Sequence, residues 1–273
     1  VVIHRLPVML DRQWRAQCQE FLAGTAPATA PAGDGPEDTY NLVRPRSACP
    51  ACQSPIKPWH NIPVLGWLWL RGRCATCGTA ISVRYPIIEA LTGLLSLGLA
   101  LRLGATPELV GALLLGWTLV ALAVIDLDHQ LLPDVITLPL MWGGILWALL
   151  GIGGGLPVFA ASLEDAVIGA LAGYLSLWTL FHGFRLLTGK EGMGYGDFKL
   201  FAALGAWLGW QLLPLVILLS AATGAIVGVA LIALGRHGRQ VPIPFGPYLA
   251  AAGLVAIVWG RDLMNAWLRA SFG

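Results

Sequence analysis

The stretch Leu109-Val110-Gly111-Ala112-Leu113-Leu114-Leu115-Gly116-Trp117-Thr118-Leu119-Val120-Ala121-Leu122-Ala123-Val124-Ile125-Asp126 decides the fold. It carries no charge until it stops at an acid. A helix of about 20 such residues crosses the hydrocarbon core of a bilayer, and a backbone in lipid must satisfy its own hydrogen bonds. The run shows none of the alternation that a barrel strand needs. Outward from it, the same reading gives seven apolar helical segments at about 86–103, 107–126, 134–151, 165–187, 197–210, 211–234 and 245–268, the fifth short and Pro214 standing at its junction with the sixth. Composition agrees: 56% of the 273 residues are hydrophobic, only 12% are charged and mean hydropathy is +0.70, against about 25% charged in soluble chains. This excludes a soluble enzyme domain, a disordered chain and a disulfide-rich secreted module. The net charge of +2 gives no reason to expect nucleic acid as a partner. The expected fold is an all-α polytopic membrane protein with the lipid bilayer as its surroundings.

The first 85 residues differ in kind. The opening VVIHRLP reads as the tail of an apolar segment without an initiator Met, so an eighth, N-terminal span is expected to precede it. An amphipathic piece, PVMLDRQWRAQCQEFL, leads into GTAPATAPAGDGPED, whose Ala, Pro and Gly carry no apolar periodicity and read as a flexible linker. A Cys-bearing unit follows. The expected division is 1–44, then 45–85, then a helical membrane domain over 86–273. Nine of the 17 Lys and Arg residues precede position 86. If the Cys unit is cytosolic and the segments alternate, Arg185, Lys190, Lys199, Arg236 and Arg239 join them there, leaving only Arg102, Arg261 and Arg269 opposite. The positive-inside bias then makes the loops at 126–134, 186–197 and 235–245 cytosolic.

Cys49-Pro-Ala-Cys52 and Cys74-Ala-Thr-Cys77 are two CxxC pairs separated by 21 residues. Each pair lets two thiolates reach one ion, and two pairs complete a tetrahedral Zn2+ shell. A redox role needs only one such pair, and a reducing compartment disfavours two disulfides. A closed four-sulfur shell leaves no position for substrate, so the expected zinc is structural. It would supply folding energy to a unit of about 40 residues that has little core of its own. Cys18 stands alone and reads as a small apolar residue.

Acids beside apolar helix ends are the candidates for chemistry. They fall in Ile125-Asp126-Leu127-Asp128-His129-Gln130-Leu131-Leu132-Pro133-Asp134 and in Gly192-Met193-Gly194-Tyr195-Gly196-Asp197-Phe198-Lys199. Solvation accounts for Asp128, and an N-cap role after Pro133 suits Asp134. Asp126 follows LVALAVI directly and sits deeper. Asp197 follows glycines at 192, 194 and 196, which allow sharp turns and close approach of a peptide. Two carboxylates meeting at a low-dielectric boundary do not both ionise; sharing one proton, they can activate water and polarise a carbonyl. The competing reading is a set of interfacial acids with no joint role. Glu191 suits attraction of a basic peptide or plain solvation. Lys199 suits orienting a carboxylate or reaching for the interface.

At these residues the chain resembles the type IV prepilin leader peptidases, a bifunctional family that also serves type II secretion. The resemblance runs over VVIHRLP, both CxxC pairs, PWHNIPVLGWL, RYPIIE, IDLDHQLLPD, GKEGMGYGDFKL and PIPFGPYLA. It implies an eight-span protein of the bacterial inner membrane that cleaves the basic leader of prepilins and pseudopilins after a Gly, on the cytosolic side. It also implies methylation of the new N-terminus with S-adenosylmethionine. By motif the catalytic aspartates fall on Asp126 and Asp197, with Gly194, Gly196, Lys199, Asp128 and Asp134 as supporting residues. The Gly-rich stretch GIGGGLPV between them reads as an extracytosolic insertion. No glycine-rich strand-to-helix turn of the nucleotide-binding type is present, so the Cys unit is the expected methyl-transfer platform, with Gly72 and Arg73 as candidates and an ordinary turn as the alternative. Other readings are a peptidase without methylation and a proton-relay transporter or scaffold, whose acids belong near the bilayer midplane.

Overall fold

The computed structural model describes residues 2–25, 41–44, 46–152, 159–160, 162–190, 192–234 and 244–272. Most of the expected linker, the core of the Gly-rich stretch, Glu191 and the loop bearing Arg236 and Arg239 lie outside these residues. The chain divides into two compact units, Val1–Leu94 and Leu95–Gly273.

In the first unit α1 spans Val2–Thr25 as one helix, joining the opening apolar residues to the amphipathic piece. The four-Cys region follows, with one short helix, α2 (Leu65–Trp69). α3 (Arg84–Leu103) begins here and continues into the second unit. The second unit adds α4 (Pro107–His129), α5 (Asp134–Leu149), α6 (Leu163–Thr188), α7 (Tyr195–Leu208), α8 (Leu213–Ala233) and α9 (Gly246–Phe272). All seven expected segments are therefore helices, and no strand occurs among the described residues. α3, α4, α6, α9 and the stretch Trp210–Ala233 containing α8 are long and apolar enough to cross a membrane. α5 and α7, with 16 and 14 residues, rise about 24 and 21 Å against a core of about 30 Å. The junction near Pro214 resolves into Gly209 at φ 82°, one 3-10 turn over Trp210–Leu212, and α8 with Pro214 in its first turn.

The short helix α7 is the centre of the second unit. Every residue from Leu200 to Leu208 is buried, the mark of a helix that faces protein on all sides. α6, α5 and α9 pack around it. Its tightest neighbour is α6. A Cβ on Gly169 would lie 2.2 Å from the Gly205 carbonyl oxygen, and one on Gly205 would lie 2.0 Å from that of Gly169. One turn along, a Cβ on Gly173 would lie 2.6 Å from the Phe201 carbonyl oxygen. Small residues spaced by four let two backbones touch where lipid offers no hydrophobic drive to associate. Across from α6, the Trp207 indole N–H donates to the Leu140 carbonyl in α5 at 2.7 Å, and its ring packs on Trp147 and Phe159.

Gly205→Ala places a methyl against a backbone carbonyl that cannot rotate away. We expect a loss of about 1–3 kcal/mol, the usual cost of overpacking, read as a lower midpoint of thermal unfolding in detergent. An unchanged midpoint contradicts the contact.

Candidate active site

The α4–α5 connection, the α7 start and the α9 start come together at one end of the second unit, where Leu132 lies against Gly196 and Gly246. There the structure gathers parts of α4, α5, α7 and α9. α4 ends as Gln130 turns left-handed, its N–H donating to the Asp126 carbonyl at 2.9 Å. Asp126 is the last buried residue of the helix at 5% exposed, whereas Leu127, Asp128 and His129 are exposed. Asp197 is equally buried, at the third position of α7. Its carboxylate accepts the Gly194 N–H at 3.1 Å, while its own N–H donates to the Gly194 carbonyl at 3.2 Å. The glycine-rich run thus folds as a cap that turns Asp197 back on the helix start. The Asp126 and Asp197 carboxyls lie within electrostatic reach of each other. A third buried acid, Glu108, sits 18 residues before Asp126 on α4, about 27 Å away along the helix, and takes no part.

Asp134 departs from expectation. Pro133 is the N-cap of α5, and the Asp134 side chain makes no capping bond. Its carboxylate instead receives Lys199 from α7, with Nζ 2.7 and 2.6 Å from the two oxygens. This ion pair ties the α5 start to the first turns of α7, and Lys199 orients a carboxylate rather than reaching for lipid. Beneath Asp197, Phe198 is fully buried and packs against Tyr174, Phe181 and Tyr195.

Two residues escaped sequence reasoning. Leu132 is buried between the glycines: a Cβ on Gly196 would lie 2.7 Å from the Leu132 Cβ, and one on Gly246 would lie 3.1 Å from its Cδ1. Gly246, the first residue of α9, sets its backbone against the Asp126 carboxylate. Pro247 has no N–H, and those of Tyr248 and Leu249 both go to the Phe245 carbonyl at 3.1 Å. A Cβ there would meet the Asp126 Oδ2 at 2.5 Å. The signal was the glycine of PIPFGPYLA, which has no periodic or spacing rule attached to it.

In the first unit, the four Sγ atoms lie within 4.8 Å of one another, with Cys49–Cys77 at 3.8 Å and Cys52–Cys74 at 4.0 Å. A tetrahedral shell at 2.3 Å from each sulfur needs about 3.8 Å between sulfurs, so the donor set fits such an ion. The two loops repeat one pattern. The Cys49 N–H donates to the Ser54 carbonyl and the Gln53 N–H to that of Cys49, as Cys74 does to Thr79 and Gly78 to Cys74. Hydroxyls two residues on, Ser54 and Thr79, lie 3.0 and 3.1 Å from Cys52 and Cys77 Sγ. Backbone N–H groups of Cys77 and Thr76 pull the Cys74 thiol down to about 6, and the Ser54 hydroxyl lowers that of Cys52. Both favour the thiolates a metal needs.

Gly72 has φ +70°, and a Cβ on it would lie 2.7 Å from the Trp67 ring; Trp67 in turn donates from its indole to the Ile81 carbonyl at 3.1 Å. Arg73 beside it is exposed. Gly72→Ala combines a left-handed backbone with a ring clash. We expect a loss of about 1–3 kcal/mol, seen as easier proteolysis of the Cys region; unaltered resistance contradicts this account.

Against known proteins, the family described as "Type IV leader peptidase family" matches residues 113–229, and "Bacterial Peptidase A24 N-terminal domain" matches residues 1–103. The chain is 57% identical to a protein of Aeromonas salmonicida over 98% of this chain and 87% of that protein. It is 56% identical to one of Aeromonas hydrophila over 100% and 89%, and 51% identical to one of Pseudomonas aeruginosa over 98% and 88%. All three are named prepilin leader peptidase/N-methyltransferase. No solved structure matches.

Proposed function

This chain belongs to the type IV leader peptidase family, and from that footing we propose that it cleaves prepilin and pseudopilin leaders and methylates the new N-terminus, in keeping with relatives named prepilin leader peptidase/N-methyltransferase. We assign the cleavage to Asp126 and Asp197. The observation that carries this is that two buried carboxyls from different helices lie within electrostatic reach of each other at one end of the second unit. One proton is shared between them. The charged carboxylate takes a proton from water as the water oxygen attacks the scissile carbonyl, and the protonated carboxyl donates to the carbonyl oxygen. Collapse of the tetrahedral intermediate returns a proton to the leaving amine. Gly194 gives one N–H to Asp197, and the Gly246 backbone abuts the Asp126 carboxylate, which orients the pair. The Asp134–Lys199 pair holds α7 in register, and Gly196 leaves room for Leu132 beside it. Asp128, exposed two residues beyond Asp126, is assigned to the approach of the leader. A transporter relay fits less well, because both acids lie at helix ends and not at mid-span.

We assign the division 1–44, 45–85 and 86–273 to an entry helix with linker, a metal-holding unit and the peptidase domain. The four cysteines would hold Zn2+, which supplies structural cross-linking. Methyl transfer from S-adenosylmethionine falls to the Cys unit, with Arg73 as an exposed cation for a carboxylate and Gly72 shaping the turn beside it. The family resemblance points to the bacterial inner membrane, and the charge bias argues for the Cys unit and the acidic pair facing the cytosol.

Asp126→Asn and Asp197→Asn should each lower cleavage of a prepilin peptide by at least about 10²-fold while the protein stays folded in the membrane; retained cleavage by either removes that residue from the mechanism. Gly246→Ala collides only with a side-chain end, so the fold should survive while the Asp126 carboxylate is displaced. Its kcat should fall about tenfold or more with KM unchanged, and a normal kcat would refute the orienting role. Elemental analysis should find one zinc per chain.

A further inference from the structure

The first unit carries an apolar surface that cleavage and methylation leave unexplained. α2 is turned inside out for a soluble helix. Gly66 packs on the His60 carbonyl, and Trp67 packs inward on Gly72. Leu65, Leu68 and Trp69 point away, Leu65 being 61% and Trp69 76% exposed, and Ile62 just before them is also exposed. Contiguous apolar patches of this kind mark a contact surface.

Its depth is fixed by one bond. Glu89 is the one acid on α3, a helix long and apolar enough to span. Its Oε2 accepts the Val64 N–H at 2.7 Å. Val64 is the residue immediately before α2 and holds φ +60°, a conformation that strains a β-branched side chain. Glu89 lies five residues past the α3 start, about 7.5 Å along it. α2 therefore lies level with the first turns of the span, within the zone where interfacial helices bury their apolar faces. The charge agrees. Between Tyr40 and Ile88 stand Arg44, Arg46, Lys57, Arg71, Arg73 and Arg84, and no Asp or Glu. A surface of that sign suits anionic headgroups.

We propose that Ile62, Leu65, Leu68 and Trp69 form an interfacial membrane anchor: they lie in the headgroup–acyl boundary beside α3, held at that depth by the Val64–Glu89 bond, while Arg71 meets anionic lipid phosphates. The anchor sets the Cys unit against the bilayer face whatever reaction that unit supports. Glu89, an acid on an apolar span, is thereby accounted for as a tether.

The test uses the full chain with Cys18→Ser and Leu68→Cys, nitroxide-labelled and reconstituted in nanodiscs of phosphatidylcholine, with or without phosphatidylglycerol. The Cys18→Ser chain alone reports any label on the cluster cysteines. A label at 68 should collide more with oxygen than with a water-soluble nickel chelate, and more so with phosphatidylglycerol present. Adding Glu89→Ala should raise nickel access about twofold or more, as the helix leaves the interface. Leu65→Cys serves as an independent reporter if the first substitution disturbs folding. Nickel access equal to oxygen access in both lipids overturns the proposal. So does protection from both reagents with spin–spin broadening, which marks a second copy of the chain as the occupant.

Discussion

The second unit depends on the contact between the α6 and α7 backbones at Gly169 and Gly205, where neither residue has space for a single carbon. That approach draws α7 into the centre, and burial on all sides removes the need for α7 to match the bilayer's thickness. A helix of 14 residues can then serve where a lipid-exposed one would need about 20. Its start carries Asp197 with it. The position of the acid follows from how far the buried helix extends, and that is fixed by packing along its length: Gly173 against Phe201 on one side, Trp207 against Leu140 on the other.

The acidic end is assembled from helix termini and not from a loop scaffold. The last buried turn of α4 supplies Asp126, the first turn of α7 supplies Asp197, and the α5 start is tied to α7 through Asp134 and Lys199. The α9 start contributes the Gly246 backbone beside Asp126. Helix starts hold unpaired donors and helix ends unpaired acceptors, so a carboxylate at an N-terminus finds a donor without spending a side chain. Gly194 supplies such a donor to Asp197, and any Cβ at Gly246 would occupy the place of the Asp126 carboxylate.

The first unit solves a different problem. It has few apolar residues to spare for a core, since many of them face outward. Two loops of identical hydrogen-bond pattern bring four sulfurs to the separation that a tetrahedral ion requires, and an ion bound there would cross-link the unit in place of burial.

The sequence alone determined that this is an all-α membrane chain, where its helices run within a few residues, that four cysteines converge, and which acids sit beside helix ends. These are local properties: apolar run length, a two-residue gap between thiolates, and the distance of a charge from an apolar segment. Asp134 shows the limit of such reasoning, because a residue after Pro133 looks like a cap until Lys199, 65 positions away, is brought to it. The approach of Asp126 to Asp197, the wedge of Leu132 and the packing of Gly246 on Asp126 were decided by tertiary structure alone. Each joins residues far apart in the chain, and the side-chain volumes that set helix packing leave no periodic mark on the sequence.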